Sequence, residues 1–143
     1  TALQLFKNAK IVCKKLSSSG KNRTTIYCGE IVYGKKINNE EKVRSIDFEI
    51  KSSCLTYLCT HKYVKDLTGS HQQNVLNEVL SFIDDAILYT SRNKNNNIIV
   101  ALCDGPFWKQ LDIMRMINNK INNNKRVLFC DTLKLIELIK NEN

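Results

Sequence analysis

Asp47, Glu49 and Lys51 alternate along Ser45-Ile-Asp-Phe-Glu-Ile-Lys-Ser-Ser53. A strand through this stretch carries all three on one face and Ile46, Phe48 and Ile50 on the other. Two carboxylates and a lysine on one polar stripe are the minimal parts of a metal-dependent phosphodiesterase site. The acids are oxygen ligands for a hard divalent cation, and the lysine can act on an attacking water and on phosphate charge. A third acid, Glu30, stands in the preceding strand. The same stripe would also serve as the wet side of a half-buried strand. Against that, acids are depleted in strands, and two on one face repel unless something cationic joins them.

These residues need elements to position them. Residues 2–16 place Leu5, Ala9, Val12 and Leu16 on one helical stripe, and Ser17-Ser-Ser-Gly20 ends that predicted helix. Gly20-Lys21 is not a phosphate loop, because Asn22 stands where Ser or Thr is required. Residues 24–33 and 43–51 read as strands around a polar turn at 34–42, and 54–62 as a third. If the first two pair, Glu30 lies across from residues 46–49, although register is not fixed by sequence. A long helix over 72–91 follows, with Val75, Val79, Phe82, Ala86 and Tyr89 on one face. Ile98–Cys103 is continuously apolar, as in a strand buried on both faces. A helix at 107–121, a strand at 127–130 and a helix at 132–140 complete the order. Early tight turns suggest an antiparallel meander, and later strand–helix alternation suggests parallel additions. The expected fold is a single α/β domain over 1–143, with a mixed central sheet of about five strands flanked by helices.

The order and spacing of these motifs resemble the PD-(D/E)XK nucleases, especially type II restriction endonucleases, over about residues 2–130. Their core is a helix, a three-stranded meander, a helix and a further strand, and Glu49-Ile-Lys51 resembles their Glu-x-Lys element. The resemblance implies a restriction-endonuclease-like fold and Mg²⁺-dependent cleavage of duplex DNA. It implies Glu49 as a metal ligand, with the Ile50 carbonyl as a second, and Lys51 acting on water and phosphate. The Pro-Asp pair that names the family is absent, so Asp47 and Glu30 compete for the other carboxylate. A rival placement pairs Asp47 with Lys62, which puts the neutral Thr60 where the acid should stand. Lys14, Lys15, His71 and Gln72 are candidate DNA contacts; helix-face or capping roles are the plainer reading of each. Asp104-Gly-Pro106 reads as a turn with Asp104 capping the next helix, and Trp108 as packing.

Composition bounds the partners. The net charge is +8, and residues 1–51 carry eleven Lys or Arg against five Asp or Glu. A basic first third suits a polyanion, although a solvated lysine-rich surface has the same composition. Six cysteines show no CxxC pair, and several sit in apolar runs, so a reduced, cytoplasmic protein is expected. No apolar run approaches the ~20 residues that span a membrane, and no signal peptide is visible. A chain that begins at Thr1 is compatible with a fragment or a processed product. Two functions compete: a Mg²⁺-dependent restriction-type endonuclease, working as a homodimer on duplex DNA and not on a small molecule, and an inactive nuclease-like domain serving DNA binding or subunit interaction.

Overall fold

The first helix stops early. In the computed structural model, which describes residues 1–17, 23–34 and 44–142, helix α1 covers only Ala2–Asn8. Lys10 takes a left-handed backbone (φ 60°). Its amide donates to Lys7 O and that of Ile11 to Phe6 O, a Schellman ending formed without glycine. Strand β1 (Cys13–Lys15) follows, so the expected helix over 2–16 is a helix and an edge strand. Gly20, Lys21, Asn22 and all but the start of the polar turn at 34–42 lie outside the described residues.

The predicted strand 24–33 is itself a hairpin, β2 (Thr24–Tyr27) and β3 (Glu30–Tyr33), turned at Cys28-Gly29. Gly29 has φ +77°, and a Cβ there would lie 2.7 Å from Leu88 Cγ, so both backbone and packing call for glycine. The hairpin pairs with β4 (Arg44–Ser45) in a small three-stranded sheet of order β3-β2-β4. Helix α2 (Ser70–Arg92) holds its tip: Gly29 N donates to Asp85 Oδ1 at 3.3 Å and Arg92 Nη1 to Cys28 O at 2.8 Å.

The main sheet is mixed, with order β1-β5-β6-β7-β8. Strands β5 (Phe48–Lys51) and β6 (Thr56–Tyr63) continue β1 as an antiparallel meander. Strands β7 (Asn97–Asp104) and β8 (Val127–Cys130) add in parallel, joined through α2 and α3 (Leu111–Ile121). The five-stranded α/β architecture is therefore as expected, but its first strand is 13–15 and not 24–33. Apolar residues on both sheet faces produce two cores. One joins Leu58, Ile99 and Ala101 to Val79, Phe82 and Ile83 of α2 and Ile117 of α3. The other joins Phe48, Ile50, Cys59, Val100 and Leu102 to Phe6 of α1 and Leu135 of α4 (Thr132–Lys140). Ile46 packs in the first core and Phe48 in the second, so the alternation expected through 46–50 breaks where the chain passes from the small sheet to the main one.

Among the described residues no helix is long and apolar enough to cross a membrane. All six cysteines are free thiols. Burial pushes Cys13 up to about 11 and Cys130, with help from Asp131, up to about 12, so both stay protonated at neutral pH.

Candidate functional site

Asp47 lies between the two sheets, and its backbone is held from both sides. Its amide donates to Cys59 O on β6 at 2.8 Å, and its carbonyl accepts from Leu16 N at 2.8 Å. The carboxylate then turns to β6, where Oδ2 accepts from His61 N at 2.8 Å and Thr60 Oγ1 at 3.4 Å. Two donors on one oxygen fix the orientation of the group.

Beside it opens a cavity of about 320 Å³, lined among others by Arg44, Asp47, Thr60, Lys62, Glu78 and Phe82. Thr60 and Lys62 share one face of β6 by strand period. Glu78 comes from α2, which packs on that face, and its Oε2 lies 2.9 Å from Lys62 Nζ. The Lys62 and Glu78 side chains are 31% and 40% exposed, and a pair so open to water contributes only about 0–1 kcal/mol to stability. The cavity thus gathers two carboxylates and two cations where β6 ends and the adjacent β7 also ends. That is the end of an open α/β sheet where ligands commonly bind.

The other residues singled out from sequence lie elsewhere. Glu49 stands in register between Lys14 on β1 and Leu58 on β6. Lys51 pairs with Thr56 at the opposite end of β6 from Lys62. Next to Lys51, Ser52 bonds Glu142 near the C-terminus, and Tyr57 donates to the same carboxylate at 2.5 Å. Glu30 pairs with Tyr27 at the tip of the small sheet and is exposed, not across from residues 46–49, because its strand turns back at Cys28-Gly29. Lys15 is exposed on β1. His71 is exposed in the first turn of α2, two turns before Glu78, and Gln72 is buried there.

Glu78 escaped the reading of the sequence because it lies on a helix far from the strand pattern. Its only signal in the sequence is its place as the first acid of α2.

A second polar cluster lies on the opposite face. His61 Nε2 is 2.8 Å from Asp104 Oδ2, which also accepts from Thr132 Oγ1 at 2.6 Å; Asp104 Oδ1 accepts from Thr132 N at 2.8 Å. Asp104 therefore holds the first turn of α4, not the helix that follows it in sequence. Burial pushes its carboxyl up, but hydrogen bonds from His61 and from both Thr132 donors outweigh that and hold it below the ordinary carboxylate range. Trp108 is buried, edge-on to Phe107 and Phe129, as packing.

Among the described residues no cluster of three or more His, Cys, Asp or Glu side chains is placed to hold a metal. The donor set at the cavity is smaller, two carboxylates. Both are oxygen donors of the kind Mg²⁺ takes, one or two carboxylates beside waters and substrate phosphate oxygens. They do not make a structural zinc site, which takes four ligands, mostly nitrogen or sulfur. No family model, no curated protein and no solved structure matches the chain.

Proposed function

We propose that the chain is a Mg²⁺-dependent endonuclease acting on duplex DNA, with Asp47, Glu78 and Lys62 as its working residues. One observation carries the reading: Lys62 and Glu78 meet at 2.9 Å in the cavity that Asp47 lines, with Thr60 in the place of an acid. Asp47 and Glu78 would hold the ion. The ion supplies a lowered pKa for bound water and charge neutralisation at the scissile phosphate. Thr60 Oγ1 and the His61 amide hold Asp47 in one orientation. Lys62 would orient the attacking water and offset phosphate charge, with Glu78 fixing the ammonium. Arg44 adds a second cation to the same cavity.

The order α1, β1-β5-β6 meander, α2, β7 supports the reading further, because it is the order in the nuclease core that the sequence resembles. Relative to that resemblance, the lysine moves from Lys51 to Lys62 and the second acid from Glu49 to Glu78. The uneven charge of +8 suits a DNA backbone. Each chain offers one such cavity, so cutting both strands is most simply done by a homodimer on a two-fold site.

Incubating supercoiled plasmid with the protein and Mg²⁺, beside an EDTA control, tests the proposal. Nicked and linear products that EDTA abolishes are expected. DNA binding with no cleavage in Mg²⁺ or Mn²⁺ would favour an inactive nuclease-like domain instead.

A further inference from the structure

Asp47 borders open space on two sides. Besides the cavity shared with Lys62 and Glu78, it lines a second of about 330 Å³ with Thr1, Ala2, Leu3, Lys15, Phe48 and His61. Phe48 packs in the core on the α1 and α4 side, and the His61 ring lies 5.5 Å from it, so this second cavity belongs to the opposite sheet face. We infer that it is a subsite for the nucleotide next to the scissile phosphate, with Lys15 on the phosphate and the sugar against Leu3 and the His61 ring. The inference rests on the nuclease reading and adds a substrate contact to it.

The chemistry of the walls suits such an occupant. Lys15 is exposed and, among the described residues, makes no ion pair, so its charge is available to a phosphate. Register places it opposite Phe48 across the β1–β5 pair, at the mouth of this cavity. Leu3 on α1, 37% exposed, supplies an apolar wall. A lysine beside apolar surface can take a backbone phosphate and its sugar without reading sequence. Two neutral donors orient the Asp47 carboxylate but leave its charge, which the ion held in the neighbouring cavity would offset against a phosphate. A strand lying across this sheet end passes Lys62, then Asp47, then Lys15, which presents neighbouring phosphates to separate cations.

The test compares two substrates. Bis(p-nitrophenyl) phosphate is a small diester with no neighbouring phosphate, and a labelled DNA duplex has one on each side. Their kcat/KM values are measured for the wild type, Lys15→Gln and Lys15→Arg with Mn²⁺. The ratio of duplex to small-diester kcat/KM is expected to fall roughly tenfold in Lys15→Gln, the weight of one charge-assisted contact. Lys15→Arg is expected to keep the ratio within roughly twofold of wild type, since it retains the charge. An unchanged ratio in Lys15→Gln overturns the subsite while leaving the nuclease reading intact. A wild type that cleaves neither substrate overturns the nuclease reading and the subsite with it.

Discussion

Replacing Asp104 by alanine is expected to destabilise the protein by about 3 kcal/mol, and the structure shows where that figure comes from. The carboxylate accepts two hydrogen bonds from Thr132, a residue only 1% exposed, so truncation strands two donors at a site only partly open to water. Each stranded donor costs about 1 kcal/mol or slightly more. The His61 pair, with side chains 24% and 22% exposed, adds about 0.5–1 kcal/mol after solvent screening. For a chain of this size the sum corresponds to a fall in Tm of roughly 10 °C. Asp104→Asn should lose only about 1 kcal/mol, because Oδ1 still accepts from Thr132 N. The folded pKa of Asp104 lies below its unfolded value, so its contribution is full above the ordinary carboxylate range and is lost as pH falls through the folded value. The gap between wild type and Asp104→Asn should therefore narrow below about pH 4. Urea denaturation of the three proteins at neutral and acid pH reads all of this. A loss under about 1 kcal/mol for Asp104→Ala would refute the claim that Asp104 ties β7 to α4.

Lys62→Ala is expected to reduce plasmid cleavage by at least about a hundredfold with the fold intact by circular dichroism, while Lys51→Ala, at the other end of the sheet, stays near wild type. Duplex binding, followed by fluorescence anisotropy, should weaken steeply with salt, because neutralised phosphates release counterions. A flat salt dependence would remove nucleic acid as the partner. Gly29→Ala should cost about 2 kcal/mol in thermal or urea unfolding, since alanine disfavours φ +77° and its Cβ would lie 2.9 Å from Leu88 Cβ, which a rotamer change cannot move away.

The parts of the fold that depend on periodicity were legible in the sequence. The apolar stripe of α2 and the continuous apolar run of β7 both emerged where the pattern set them. Two features were hidden for physical reasons. Lys10 adopts a left-handed backbone without the usual glycine, so nothing in the pattern ended α1 before β1 began. The Cys28-Gly29 turn sits inside an apolar run, so a hairpin read as one strand, and the meander was assigned to the wrong first strand. The candidate site was legible in part. Asp47 carries its own strand signal, and Thr60-x-Lys62 was visible as the lesser alternative to Glu49-x-Lys51. Choosing between them requires knowing which end of β6 faces the cavity, and the carboxylate from Glu78 requires knowing which turn of α2 packs beside it. Both are tertiary facts with no local signature.

The most direct test of the central claim is a Mn²⁺ titration by calorimetry of the wild type, Asp47→Asn, Glu78→Gln and Glu49→Gln. Two carboxylates at the cavity predict one site per chain in the wild type. Its affinity should fall at least about tenfold in Asp47→Asn and in Glu78→Gln and stay unchanged in Glu49→Gln. Loss of binding in Glu49→Gln with retention in Glu78→Gln would return the metal to the Glu49 strand and contradict the account.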